Sequence, residues 1–160
     1  MSFTIRSATP DDAATILGFI TELAVYEKAG HEVEATEETI RTSIFGEGSV
    51  TEAAILEHDG RPAGFAVWFY SYSTWQAKNG LYLEDLYVSP DHRGSGAGKL
   101  LLRHLAKVAV AKGCGRFEWS VLDWNEPAIR VYDAVGAEPQ NEWIRYRLTG
   151  DKLKDFAGTE

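Results

Sequence analysis

The chain has 160 residues, of which 44% are hydrophobic and 25% are charged, which is typical of one globular domain spanning residues 1–160. Its formal net charge of −8 argues against a nucleic-acid partner and suits a cationic substrate, although an acidic surface also serves solubility. No window approaches the roughly 18 consecutive apolar residues of a membrane span, and one cysteine and four histidines show no metal-ligand spacing, so we expect a cytoplasmic protein with neither membrane nor metal.

The first part of the chain predicts one strand and two helices. Residues 3–6 have the pattern of a short strand. A proline and two acids follow Thr9, which is a typical helix start, and apolar side chains at helical spacing carry this helix to about Lys28. A second helix is predicted after Thr36 and ends before the glycines at 46 and 48.

The middle of the chain predicts three strands. Residues 53–58 and 63–72 alternate like strands on either side of the Asp-Gly pair at 59–60, which is a strong signal for a hairpin. Residues 81–88 form a third β-rich run. The two strands that flank the Asp-Gly pair are therefore expected to be antiparallel neighbours.

The last part of the chain alternates again between helices and strands. Helices are predicted over residues 98–112 and 126–135, because apolar side chains recur at helical spacing and a glycine follows each segment. Strands are predicted over residues 117–122 and 143–148. The predicted order is βααβββαβαβ, a mixed α/β fold.

The most informative segment is the run RGSGAG at residues 93–98, between a predicted strand and a predicted helix. Its alternate glycines leave backbone N–H groups unscreened at the positive end of the helix dipole, which suits a diphosphate, and Arg93 would add a charge-assisted contact. A Walker A loop is disfavoured because Leu100 replaces its Ser or Thr, and a dinucleotide fingerprint because Lys99 replaces its third glycine. A merely flexible turn is the alternative.

The RGSGAG run resembles the CoA-binding motif of the GNAT acetyltransferase superfamily. Further segments resemble the branch that contains diamine (spermidine/spermine) and thialysine acetyltransferases: residues 26–28, 72–75, 82–88, 112–114, 121–125 and 132–137. The resemblance implies the GNAT acyl-CoA N-acyltransferase fold, a central, mostly antiparallel twisted sheet flanked by helices. It also implies a homodimer, with residues 143–148 as a candidate contact region.

The same resemblance implies acetyl-CoA as cosubstrate and a strand that splays from its neighbour to hold the pantetheine arm. It further implies that Asn125 contacts CoA and that Tyr132 lies near the thioester sulfur. From the residues alone, Asn125 is a helix N-cap and Tyr132 an ordinary half-buried aromatic. The predicted cofactor-binding residues are Leu86, Tyr87, Val88, Arg93, Gly94, Ser95, Gly96, Ala97, Gly98, Lys99, Asn125 and Tyr132.

Acetyl transfer to an amine requires a catalytic base and a catalytic acid. A primary amine with a reference pKa of about 10.4 is protonated at pH 7, so a base is required. Glu84, alone or through a water, is the candidate base, and Tyr132 is the candidate acid that protonates the leaving thiolate. A backbone N–H near Tyr87 or Val88 can stabilise the charge that develops on the carbonyl oxygen.

The predicted substrate-binding residues are Glu27, Glu84, Asp85 and Trp75. The resemblance implies that the three acids recognise a cationic substrate, and Trp75 could contact it by a cation–π interaction or could simply pack. Glu84 and Asp85 are strand neighbours that point to opposite faces unless a bulge intervenes. Glu27 is alternatively a solvated helix end, and Asp85 a structural hydrogen-bond acceptor.

These features together predict an N-acetyltransferase that modifies a primary amine of a small di- or polyamine, or of a lysine-like (thialysine-type) substrate, by direct attack in a ternary complex. A protein or peptide N-acetyltransferase is one alternative, and a CoA-binding sensor without chemistry is another. The pair Glu84 and Tyr132 favours an enzyme, because a sensor needs neither base nor acid.

Overall fold

The computed structural model of the chain describes residues 2–158. Their contacts divide the chain into two compact units, Met1–Trp124 and Asn125–Glu160, and each unit is described by itself. Among the described residues, the first unit carries the whole sheet and three α-helices, and the second carries two α-helices. A single acetyltransferase domain over residues 1–160 stays a prediction.

The first unit is built on a five-stranded sheet in the order β1-β2-β3-β4-β5. The strands are β1 (Phe3–Ser7), β2 (Thr51–His58), β3 (Arg61–Ser73), β4 (Lys78–Val88) and β5 (Phe117–Glu118). Neighbouring strands from β1 to β4 are antiparallel, and β4 with β5 is parallel. The sheet is therefore mostly antiparallel, as predicted, and β2 and β3 form the hairpin expected at residues 59–60.

Helices lie against this sheet in the first unit and form the regular structure of the second. The first unit contains α1 (Ala13–Tyr26), α2 (Glu37–Phe45) and α3 (Ala97–Ala111), and the second contains α4 (Glu126–Ala134) and α5 (Gly150–Ala157). Within residues 2–158, every helix is too short or too polar to cross a bilayer.

The core of the first unit explains how the helices are held. Ile16 and Phe19 of α1 are buried in one cluster with Phe65 of β3 and with side chains of α2 and β2. Because side chains alternate along a strand, Ala66 faces the other side of the sheet, and α3 buries an apolar stripe centred on Leu101. The mixed α/β architecture with a sheet flanked by helices is confirmed.

The C-terminal prediction was wrong in part. Residues 143–148 alternate like a strand, but they join no sheet within residues 2–158, and the helix α5 that follows them was missed. A strand needs a neighbouring strand for its backbone hydrogen bonds, and the alternation of side chains says nothing about that neighbour. The strand predicted over residues 117–122 also shortens to Phe117–Glu118.

A partly buried ion pair ties the start of α1 to the sheet. Asp12 is 8% exposed, and its two carboxylate oxygens accept hydrogen bonds from Nη1 and Nη2 of Arg6, each at 2.8 Å. Its Oδ2 also accepts from the backbone N–H of Thr9 at 2.8 Å. Hydrogen bonding from Arg6 holds the pKa of Asp12 below its ordinary value.

Candidate active site

The glycine-rich turn leads from the end of β4 into α3. Gly94 and Gly96 have φ angles of 78° and 87°, a left-handed backbone conformation that residues with a Cβ atom rarely adopt. The first backbone bond of α3 joins the N–H of Leu100 to the carbonyl of Gly96 at 2.9 Å. The amides of residues 97–99 thus belong to a first helical turn, where N–H groups lack intrahelical acceptors and the helix dipole is positive.

Two contacts fix the shape of this turn. The hydroxyl of Ser95 donates to the carbonyl of His92 and accepts from the N–H of Ala97, the latter at 3.4 Å. A Cβ on Gly98 would lie 3.8 Å from Cγ2 of Val88, so the turn packs on the end of β4. Ala97 is buried, whereas Lys99 and the glycines at 94 and 96 are exposed. The arrangement suits a diphosphate held by backbone N–H groups.

The edge of β4 opens just before this turn. Pairing with β5 is confined to Leu81 and Tyr82. On the other side, the N–H of Ser89 donates to the carbonyl of Ala63 at 2.8 Å. Because hydrogen-bonded and non-hydrogen-bonded pairs alternate in antiparallel strands, Leu86 and Val88 direct their N–H and C=O groups away from β3. These groups line the open edge, as the predicted binding of a pantetheine arm requires.

A β-bulge in β4 changes which side of the sheet Glu84 and Asp85 point to. Val67 pairs with Asp85 and Trp68 pairs with Leu83, so Glu84 is the extra residue. Asp85 and Tyr87 therefore lie on the α1 side of the sheet, where Tyr87 is part of the core cluster. The bulge is the condition under which two successive acids can serve one site.

Asp85, next to the bulge, is affected by the charges of Glu84 and of Glu27 at the end of α1. Asp85 is half-buried, and burial, followed by the charges of Glu84 and Glu27, raises its pKa from 3.8 to about 6. Burial also raises the pKa of Glu27, the residue that caps the C-terminal end of α1. The structure thus brings three of the four predicted substrate-binding residues together, and their surplus negative charge suits a cation.

Aromatic and basic side chains surround this end of α1. The ring centroids of Tyr26 and Trp124 are 6.1 Å apart, and Nζ of Lys28 lies 4.5 Å from the centroid of the Trp124 ring. From the sequence, Tyr26 and Trp124 could contact an amine by a cation–π interaction but are expected to pack instead, and Lys28 has no predicted role. A lysine that follows a helix gives no local signal of its partner, because the contact is made with a residue almost a hundred positions away.

Trp75, the fourth predicted substrate-binding residue, lies far from the three acids. It is 81% exposed at the tip of the β3–β4 hairpin, with the guanidinium of Arg116 6.0 Å from its ring centroid. Asp85 is seven residues beyond Lys78 along β4, which is about 23 Å at roughly 3.3 Å per residue. The structure therefore does not bring Trp75 to the acids, and its role in substrate binding stays a prediction.

The second unit holds two of the predicted residues, Asn125 and Tyr132. Oδ1 of Asn125 accepts from the N–H of Ala128 at 3.4 Å, so Asn125 is the N-cap of α4. Tyr132 is half-buried on the same helix. Their contacts with CoA stay predictions. Within residues 2–158, no three His, Cys, Asp or Glu side chains are grouped to hold a metal ion.

The sequence is similar to acetyltransferases over almost its whole length. Residues 14–137 match the description "Acetyltransferase (GNAT) family". A thialysine N-epsilon-acetyltransferase of Bos taurus is 39% identical over 96% of both chains, and one of Caenorhabditis elegans is 37% identical over 98% of both. An L-ornithine N5-acetyltransferase of Arabidopsis thaliana is 32% identical and covers 94% of this chain and 86% of its own.

Solved structures share the fold. An integron cassette protein from the mobile metagenome of V. cholerae has a TM-score of 0.83 at 27% identity, with 99% of both chains covered. A ribosomal-protein-alanine N-acetyltransferase from Brucella melitensis biovar Abortus has a TM-score of 0.75 at 19% identity, with 94% of this chain and 100% of that chain covered.

Proposed function

Because the chain belongs to the acetyltransferase (GNAT) family and is an acetyl-CoA-dependent N-acetyltransferase, we propose that it acetylates a primary amine of a small di- or polyamine or of a lysine-like, thialysine-type amino acid. The observation that carries this proposal is Asp85, whose pKa of about 6 reflects burial beside two further acids. Such a cluster is stabilised by a substrate that carries positive charge. The names of the curated relatives point to the same chemical class.

The glycine turn fits the diphosphate of acetyl-CoA, since Gly94 and Gly96 have left-handed backbones and the first turn of α3 presents its amides. The outward N–H and C=O groups of Leu86 fit the amide-containing pantetheine arm, and the outward N–H of Val88 fits the thioester carbonyl. Acetyl-CoA supplies an acyl group activated as a thioester. The proposed reaction requires no metal ion.

In the proposed reaction Asp85 and Glu27 hold the ammonium form of the substrate, and Glu84 removes a proton from the reacting nitrogen, directly or through a water. Reaching the neutral amine at pH 7 costs roughly 4.6 kcal/mol. The neutral nitrogen then attacks the thioester carbon in a ternary complex. Of the two candidate donors for the carbonyl oxygen, the N–H of Val88 is favoured, because its position in the register directs it to the open edge.

Tyr132 completes the proposed chemistry by donating a proton to the sulfur as the carbon–sulfur bond breaks, and its phenolate regains a proton, through a water, from the nitrogen that becomes the amide. Replacing Tyr132 by phenylalanine is expected to lower kcat by about 100-fold, the order that general acids contribute. Full turnover at saturating concentrations of both substrates, with product release shown to be fast, would exclude this role.

We also propose a homodimer, as the resemblance to diamine and thialysine acetyltransferases implies. Residues 143–148 support it because Trp143, Ile144 and Tyr146 are largely exposed, and exposed apolar groups of this size often mark protein contacts. Sedimentation equilibrium of the full chain tests this proposal, and a monomer at all concentrations would contradict it.

The substrate is tested by thiol release from acetyl-CoA with putrescine, spermidine, thialysine, lysine and a short lysine peptide. The proposal predicts that at least one small free amine is preferred over the peptide. Preference for the peptide over every free amine would indicate a protein acetyltransferase instead. Binding of acetyl-CoA without thiol release for any amine would indicate a sensor.

A further inference from the structure

Arg93, the first residue of the glycine turn, is engaged with the protein. Its Nε donates to the carbonyl of Val88 at 3.1 Å, and its backbone N–H lies 3.3 Å from the carbonyl of Pro90. The guanidinium carbon lies 5.2 Å from the ring centroid of Tyr87 and 5.3 Å from that of Tyr26, both within cation–π range. These contacts direct the guanidinium toward the end of α1.

The same contacts continue into α1. The hydroxyl of Tyr87 donates to Oε1 of Glu22 at 3.0 Å, and the ring of Tyr87 lies 5.9 Å from that of Phe19. Tyr26 is the last residue of α1, and the acid Glu27 follows it directly. Arg93 thus connects the open edge of β4 with the end of α1, where Glu27 is one of the three acids of the proposed substrate site.

The carbonyl of Val88 explains why this connection affects the chemistry. It points to the open edge, next to the Val88 N–H that is the favoured donor for the reacting carbonyl oxygen. An unopposed carbonyl dipole there would repel the negative charge that develops on that oxygen. A guanidinium hydrogen-bonded to the Val88 carbonyl offsets this repulsion and holds the strand end in one orientation.

We propose that Arg93 is a positioning residue: it fixes the end of β4 against α1 and so aligns the Val88 edge with the acids at 27 and 85, and its side chain is not a ligand of the diphosphate. This inference rests on the proposed acetyl transfer. It replaces the charge-assisted phosphate contact expected for Arg93 from the sequence, and it leaves the backbone amides to bind the diphosphate.

The two roles are separated by measuring nucleotide binding and turnover in the same variants of the full chain. The probe for the diphosphate site is 3′-phospho-ADP, the part of CoA that lacks the pantetheine arm. In Arg93→Met the proposal predicts a Kd for 3′-phospho-ADP within about twofold of wild type, together with a kcat for the amine lowered about tenfold. A phosphate ligand would give the reverse pattern.

Arg103→Met is the matched control, because Arg103 is exposed on α3 and its loss changes the net charge equally. We expect both measurements to equal those of wild type.

A double-mutant cycle with Tyr26→Leu tests the connection to α1: the loss of kcat in the double variant should be smaller than the product of the two single losses. If Arg93→Met fails to fold, Arg93→Lys enters the same measurements, since lysine keeps the charge but lacks the planar guanidinium.

Weaker binding of 3′-phospho-ADP by about tenfold in Arg93→Met, with kcat unchanged, would overturn the inference, and so would strictly multiplicative losses in the cycle. Failure of the proposed function gives a different result. In that case the wild-type chain itself would bind no CoA or release no thiol with any amine.

Discussion

Two aspartates of the first unit place negative charge in poorly solvated positions, and their surroundings are opposite. Asp12 receives two hydrogen bonds from the guanidinium of Arg6, and its pKa is lowered. Asp85 lies near Glu84 and Glu27, and its pKa is raised to about 6. One carboxylate is matched by a fixed cation of the chain, and the other is placed beside like charges.

The contrast separates a structural charge from a functional one. A buried carboxylate is costly unless it is paired, and the ion pair at Asp12 meets that requirement within the fold. The arrangement at Asp85 opposes folding, and such arrangements concentrate where a ligand supplies the compensating charge.

The largest effect is expected at the acid without a structural role. Glu84 is exposed and its charge opposes that of Asp85, so Glu84→Gln should leave stability unchanged or slightly raised and should lower kcat/KM for the amine by about 100-fold or more, since it removes the proposed base. Thiol-release kinetics measure the effect. Glu38→Gln, at an exposed position on α2, is the control and should retain wild-type kinetics. A Glu84→Gln enzyme within twofold of wild type would remove Glu84 from the mechanism.

Breaking the ion pair between Arg6 and Asp12 should lower the stability of the fold. Asp12→Asn is expected to lower the free energy of unfolding by about 2 kcal/mol, because Arg6 loses a charged hydrogen-bond acceptor. Urea denaturation measures this loss. The activity per folded molecule should be retained, and a selective loss of activity without destabilisation would contradict the assignment of Asp12 to the fold.

The change of aspartate to asparagine at position 85 should affect the free energy of unfolding in the opposite direction. Asp85→Asn removes a charge that faces two acids, so the free energy of unfolding at pH 7 should rise slightly. The KM for a diamine should rise about tenfold, equivalent to roughly 1.4 kcal/mol of lost attraction to the cation. Destabilisation as large as that of Asp12→Asn would show that Asp85 is a structural acceptor after all.

The pH dependence of stability should show the contrast in its mildest form. The folded-state pKa of Asp85 is raised, so folding is opposed above about pH 6, and this opposition is relieved as the pH falls from 6 toward 3.8. The folded-state pKa of Asp12 is lowered, so its contribution is present above its ordinary value of 3.8 and is lost at lower pH. Between pH 4 and 6, wild type should therefore gain stability relative to Asp85→Asn on acidification, and identical profiles would contradict the raised pKa.

The features that the sequence predicts well are those set by local chemistry. Alternate glycines before an amphipathic helix predict the turn at residues 93–98, because positive φ at Gly94 and Gly96 is a property of the residues themselves. The proline and acids after Thr9 likewise predict a helical start, although residues 10–12 form a short 3₁₀ turn and α1 itself begins at Ala13. The hairpin follows from the Asp-Gly pair, and Asp59 and Gly60 do adopt left-handed conformations.

The features that escape the sequence depend on distant partners. The bulge at Glu84 exists because β4 shifts register against Val67 and Trp68 of β3, and the run YLEDLYV does not encode that shift by itself. Residues 143–148 have the alternation of a strand without joining a sheet among residues 2–158. The guanidinium of Arg93 and its tyrosine neighbours meet only through the packing of α1 on β4.

The most direct test of the contrast is the titration of the aspartate carboxyl carbons by NMR, with and without a saturating diamine. Asp85 should titrate near pH 6 in the free protein and at clearly lower pH in the complex, because a bound cation favours the carboxylate, whereas Asp12 should titrate below its ordinary value in both. An Asp85 carboxyl that titrates below pH 4 in the free protein, or that does not respond to an amine which the enzyme acetylates, would contradict its role as a cation-binding residue.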